Sequence, residues 1–270
     1  MTFFKTSSFG NDFLCIEVKG AEAKKESRES LTRSICRRHS GVGADGVVFF
    51  RVGKNETVFQ IHNRDGGEAE LSGNGMAGLA AVLLYRGDFD RDIVLKTRVG
   101  RRKIVLLKRN GAQFLLRVEI GSADFDDRRL FPFRKGKWRA SDYDGTEFFP
   151  VSVGNPHAVV VMKKFLPPEK LVGLGRKLEG APLFPFRTNV EFVSLKDQEH
   201  CQVFFYERGV GPTYASSTGS AAVFAVLRKN GRVGDRLSIL TRAGEILASG
   251  KEAISIEIVT RIICRGEYLS

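Results

Sequence analysis

The sequence predicts an α/β (α+β) chain of two similar units, each a mainly antiparallel sheet wrapped around a central helix. Three observations predict it. One block of sequence recurs at a constant offset, a loop of small residues runs straight into an Ala-rich apolar segment in each copy, and short segments with alternating polar and apolar residues follow. Shifting the chain by 144 residues lays "SGNGMAGLAAV" (72–82) on "SSTGSAAVFAV" (216–226), with identity at Ser72/Ser216, Gly75/Gly219, Ala77/Ala221, Ala81/Ala225 and Val82/Val226. The same shift carries Ser8-Phe9-Gly10-Asn11 onto Ser152-Val153-Gly154-Asn155, Asn63-Arg64 onto Glu207-Arg208, and Gly87 onto Gly231. Separated blocks sharing one gapless offset identify two copies of one unit.

In each copy a Gly-Asn turn precedes a strand: residues 13–18 in the first, 158–162 in the second. Helices are expected over 29–38 and 169–178, the second entered through Pro167-Pro168, which suits a first helical turn. Strands follow at 46–50 and 190–194, then at 58–63 and 202–207. The small-residue loops then open helices that close at Gly87 and Gly231, each placed to take a left-handed C-terminal position. Alternation predicts further strands at 93–96, 104–107, 114–118, 237–241 and 253–258. The charged, non-periodic stretch 122–146 precedes the second copy, giving domains 1–118 and 119–261, with the tail 262–270 expected to return to the first.

Composition narrows the function. No stretch approaches the about 20 apolar residues of a membrane span, and Met1-Thr2-Phe3-Phe4-Lys5-Thr6 lacks the apolar core of a secretory signal. A soluble cytoplasmic protein with no membrane partner is expected. The net charge of +12 gathers in clusters such as Arg101-Arg102-Lys103 and Arg134-Lys135-Gly136-Lys137-Trp138-Arg139. No nucleic-acid motif accompanies them, so they read as solvated surface that attracts small anions rather than as a nucleic-acid interface. The four cysteines form no CxxC pair and the four histidines show no ligand spacing, which leaves no metal site and no disulfide framework. Cys15, Cys36 and Cys264 sit in apolar runs and are expected to be buried free thiols.

The candidate site lies at the two small-residue loops. A helix start exposes backbone N–H groups and the positive end of its dipole, which suits a carboxylate. Ser72 and Ser216 stand at these starts, Asn11 and Asn155 come from the Gly-Asn turns, and His157, Glu207 and Arg208 add titratable and charged groups. A dipolar amino acid fits this set, with Arg208 suited to bind a further carboxylate. Taken singly, each feature has a plain structural reading: a bend that requires glycine, an N-cap serine, a turn histidine, an ion pair on a strand end. Their joint occurrence at matched offsets points to a site, because duplication alone does not account for the added His, Glu and Arg.

The segments "FFKTSSFGNDF" (3–13), "GVGADGVV" (41–48), "NRDGGEAELSGNG" (63–75), "GNPHAVV" (154–160), "RTNVEFV" (187–193) and "ERGVGPTYASSTGSA" (207–221) resemble, in order, the signatures of the diaminopimelate epimerase family. The resemblance implies that family's two-domain fold with the active site between the domains. It also implies cofactor-independent inversion of an amino-acid α-carbon, converting LL- to meso-diaminopimelate in lysine and peptidoglycan precursor synthesis, and a homodimer. The family uses two cysteines as thiol acid and base, and these positions fall on Ser72 and Ser216. Substrate-binding positions fall on Asn11, Asn63, Asn155, Asn189, Glu207 and Arg208, with the amides of Gly73, Asn74, Ser217 and Thr218 holding the α-carboxylate. His157 and Glu207 match the groups that support the bases. Ala77 and Ser217 also depart from the usual pattern. Three readings follow: an epimerase whose serines are activated by His157 and Glu207; an isomerase or dehydratase of the same fold with His157 or Glu207 as the base; and a non-catalytic amino-acid-binding homologue.

Overall fold

The computed structural model describes residues 1–18, 25–54, 56–132, 138–140 and 146–269. In chain order the first elements are β1 (Thr2–Ser8), β2 (Asn11–Glu17), α1 (Lys25–Ile35), β3 (Gly46–Val52), β4 (Thr57–Asn63), β5 (Glu68–Ala69), α2 (Gly73–Arg86), β6 (Asp92–Thr97), β7 (Gly100–Asn110) and β8 (Gln113–Gly121). They continue as β9 (Trp138–Ala140), β10 (Thr146–Ser152), β11 (Pro156–Met162), α3 (Pro168–Glu179), β12 (Asn189–Leu195), β13 (His200–Glu207), β14 (Gly211–Thr213), α4 (Ser217–Lys229), β15 (Arg236–Thr241), β16 (Gly244–Ser249) and β17 (Ile254–Glu267). The chain divides into two compact units, Met1–Glu119 with Glu257–Ser270, and Ile120–Ile256. Most of the basic cluster 134–139 lies outside the described residues.

In the first unit, β1 and β2 form a hairpin in which Ser8 pairs with Asn11. The two residues between them, Phe9 and Gly10, have φ of 52° and 82°, the left-handed pair that a two-residue hairpin turn requires. From β2 the sheet runs parallel to β3, antiparallel to β4, parallel to β6, then antiparallel to β7 and β8. β17 pairs with β8 and, antiparallel, with β1, which closes the strands into a ring. α2 packs against β1, β2 and β3 and is buried continuously from Gly73 to Leu84. That enclosure explains its composition. A helix surrounded by strands has no polar face, and small side chains let it fit. Gly87 ends it in the left-handed region at φ 78°, its N–H returned to Leu83 and Leu84.

The second unit runs β10 antiparallel to β11, β11 parallel to β12, β12 antiparallel to β13, β13 parallel to β15, and β15 antiparallel to β16. α4 packs on β10, β11, β12 and β16 and is buried from Ser217 to Leu227. α3 is amphipathic and lays Leu171, Leu174 and Leu178 on a cluster containing Val160, Phe192 and Tyr206. The bounds of β1 and β10, and of β6 and β15, differ by the same 144 residues that separate Ser72 from Ser216.

Three expectations need correction. α1 ends at Ile35 rather than at residue 38: the backbone turns there, with Arg37 N bonded to Ser34 O and Gly43 N to Ile35 O, and the Arg38 guanidinium reaches Asp12 and Asp45, 2.8 Å from each. The strands β1, β10 and β16 carried no alternation strong enough to be read. Cys264 is exposed, whereas Cys201 joins Cys15 and Cys36 as a buried thiol. The cause is a bulge: Lys5 pairs with Cys264 but Thr6 with Ile262, so the alternation slips and Ile263 and Cys264 both lie on the outside. Burial pushes each of the three interior thiols up to about 12, which leaves them protonated at neutral pH. Among the described residues no helix is long and apolar enough to cross a membrane.

Candidate functional site

The two helix tips share one design. Ser72 and Ser216 are extended N-caps whose Oγ atoms accept from Gly75 N at 3.1 Å and Gly219 N at 3.2 Å. The first intrahelical donors are Met76, bonded to Ser72 O, and Ser220, bonded to Ser216 O. An α-helix leaves its earliest N–H groups without intrahelical partners. The amides of Gly73 and Asn74, and of Ser217 and Thr218, are therefore the ones left to an anion.

Around the first tip the side chains are amides and ion pairs. Asn74 Nδ2 donates to Asn11 Oδ1 at 3.2 Å, and Asn11 Nδ2 donates to Asp45 Oδ2 at 2.9 Å. Asp12 receives Arg38 at 2.8 Å and Lys5 at 3.0 Å. Burial works to raise the Asp12 carboxyl, but hydrogen bonds from Arg38 and Lys5 overcome it and hold the group below the usual range. Asn63, at the end of β4, is exposed, and its backbone bonds to Gly66 and Gly67.

The second tip carries the acid–base groups. His157 is the second residue of β11 and faces Asn189 across the parallel pairing with β12. Its ring is fully buried, with Nδ1 2.7 Å from Glu191 Oε1 and Nε2 2.9 Å from Asn155 Oδ1. Both ring nitrogens are thus engaged inside the protein. Glu191 was not among the residues singled out from the sequence, although a carboxylate inside the apolar run Val190–Val193 was a usable signal. Glu207 ends β13 and is only partly buried. Its carboxyl is pushed above the usual range by burial, against the Ser216 hydroxyl, with the Glu191 charge raising it further and His157 and Thr213 lowering it. Asn189 Nδ2 donates to Pro156 O at 2.8 Å, while its Oδ1 accepts from Arg208 N at 3.0 Å. Arg208 Nη1 reaches Phe186 O at 3.3 Å.

This acid–base set is not duplicated. The positions 144 residues before His157, Glu191 and Glu207 are Phe13, Val47 and Asn63. Glycine admits α4 to the set: a Cβ on Gly219 would lie 2.8 Å from Glu191 Oε1 and 2.9 Å from the Phe205 ring. Gly219→Ala is expected to destabilise the fold by about 1–3 kcal/mol, as overpacking does, measured as a lowered denaturation midpoint with an unchanged slope. Unaltered stability would mean that the tip has room to retreat. Among the described residues no group of His, Cys, Asp and Glu is arranged to hold a metal ion.

The family model for diaminopimelate epimerase matches residues 3–125 and 149–260. The diaminopimelate epimerase of Caldanaerobacter subterraneus subsp. tengcongensis is 32% identical over 99% of both chains. That of Archaeoglobus fulgidus is 31% identical over 90% of this chain and 87% of its own. Among solved structures, a probable proline racemase from Agrobacterium radiobacter superposes with a TM-score of 0.72 at 15% identity, covering 99% of this chain and 92% of the other.

Proposed function

From the premise that the chain belongs to the diaminopimelate epimerase family, and so to the amino-acid epimerase and racemase class of isomerases, we propose that it moves a proton at the α-carbon of an amino dicarboxylate of the diaminopimelate kind without a cofactor. The observation that carries this reading is the contrast between Glu207 and His157. Glu207 is partly exposed beside the Ser216 hydroxyl with its affinity for a proton raised, whereas His157 is closed off by Glu191 and Asn155. In the proposed step Ser216 Oγ takes the α-proton while the hydroxyl proton passes to Glu207, so that no free alkoxide forms. Negative charge then develops on the substrate carboxylate, where the amides of Ser217 and Thr218 are suited to stabilise it. Asn155 and His157 hold the apparatus in place, and Arg208 and Asn189 are suited to the far end of the substrate. Gly73, Asn74, Asn11 and Asn63 are the family-equivalent substrate-binding positions within the first unit.

Inversion needs a second proton carrier, and Ser72 is the family-equivalent position for it. In D2O, LL-diaminopimelate is expected to acquire deuterium at the α-carbon and to form the meso isomer. Ser72→Ala is expected to stop inversion while sparing exchange, read by NMR and chiral chromatography. No exchange at high enzyme concentration would eliminate this substrate, and binding without exchange, seen by calorimetry, would favour a non-catalytic homologue. The unduplicated acid–base set favours a second reading, isomerisation by one base. Exchange without inversion in the unaltered protein would select it.

A further inference from the structure

Two costs meet at one contact outside the groups described so far. Glu179 ends α3 and is 3% exposed, so a carboxylate is buried at the helix end where the dipole disfavours negative charge. Arg187 has φ 58°, a left-handed conformation that side-chain-bearing residues avoid. The Arg187 guanidinium bonds to Glu179 Oε2, Glu179 Oε1 accepts from Gly209 N at 2.8 Å, and the Glu179 carbonyl accepts from Thr188 N at 3.3 Å. Every one of these bonds ends within two residues of Asn189 or Arg208. The two segments are also tied directly, Arg208 N to Asn189 Oδ1 and Arg208 Nη1 to Phe186 O. Local strain and a buried charge persist where the surroundings over-determine them, and they gather at functional sites.

The geometry points to Glu179 and Arg187 as positioning residues that clamp segments 186–189 and 207–211 together, and so set the affinity of Arg208 and Asn189 for the carboxylate and ammonium remote from the reacting carbon. The ligand part of this inference rests on the function proposed above; the clamp itself rests on the contacts alone. Arg187→Gly is the informative variant, because glycine accepts the left-handed conformation and so removes the guanidinium without adding backbone strain. In this variant the Arg208 and Gly209 amides are expected to exchange with solvent at least about tenfold faster, as local opening becomes easier. KM for LL-diaminopimelate is expected to rise about tenfold with kcat within about twofold, the signature of lost binding uniform to ground and transition states. Glu179→Gln keeps an acceptor for Gly209 N and should fall between the two, while Arg187→Lys should restore part of the affinity.

Unchanged exchange at Arg208 and Gly209 would overturn the clamp. Faster exchange with unaltered KM and dissociation constant would overturn its role in binding and leave only a structural brace. If the unaltered protein neither turns over nor binds diaminopimelate, the site reading fails and the ligand part fails with it, while amide exchange still decides the clamp.

Discussion

Glu207→Gln is expected to cut α-proton exchange by at least about a hundredfold, the usual contribution of a positioned base, and at the same time to make the protein more stable. Both effects follow from the same environment. Burial pushes the Glu207 carboxyl above the usual range, and the nearby Glu191 charge adds to it. A carboxyl whose affinity for a proton is higher in the folded state than in the unfolded one contributes its full stability below the unfolded value, about 4.3. That contribution is lost as pH rises through the folded value. Wherever that carboxyl is ionised the unaltered protein therefore carries an unfavourable charge that glutamine removes. The gain in melting temperature should be small near pH 5 and larger near pH 8, at about 2–4 °C for each kcal/mol in chains of this size. Thermal melts of the two proteins across that range check the sign. Equal melting temperatures at every pH would show that Glu207 is not disfavoured as an anion, and exchange surviving within about tenfold would remove it as the proton acceptor.

What the sequence made legible was periodic or repeated. The loop–helix junctions at Ser72 and Ser216 could be read because small residues, an apolar run and a closing glycine coincide there, and both serines cap helices in the structure. Val190–Ser194 could be read because a run of β-branched and aromatic residues has few alternatives to a buried strand. The misses have physical causes. β1 carries Phe3, Phe4 and four hydroxyl residues without clear alternation, because it pairs on both sides and sits against α2. Cys264 looked like an interior residue because a bulge inverts the facing of its strand, and a bulge has no local signature in an Ile-rich segment. Glu191 was passed over because a strand was the sufficient explanation for its neighbours; its bond to His157 joins residues 34 positions apart. Glu179 and Arg187 show the same limit, since their roles rest on contacts with Gly209 and on a backbone angle rather than on residue type.

Restoring thiols at both tips, Ser72→Cys with Ser216→Cys, is expected to raise exchange by on the order of a hundredfold or more. A free thiol ionises near pH ~8.5, an alcohol several units higher, and each unit is worth about 1.4 kcal/mol. A helix N-terminus lowers a thiol further, and both positions cap helices whose first amides are unpaired within the helix. None of the existing cysteines competes, because Cys15, Cys36 and Cys201 are held protonated by burial and Cys264 stands on the outer side of β17. The cysteine at position 216 would still hand its proton to Glu207, so the gain it brings should vanish in a Glu207→Gln background. The cysteine at position 72 has Asn63 rather than a carboxyl at the equivalent place, and its contribution should appear in inversion more than in exchange. A rise that depends on Glu207 would make Glu207 and the group at position 216 one proton-transfer pair; no rise with either thiol would mean that the groups around Ser216 have been fitted to a reaction in which a thiol has no part.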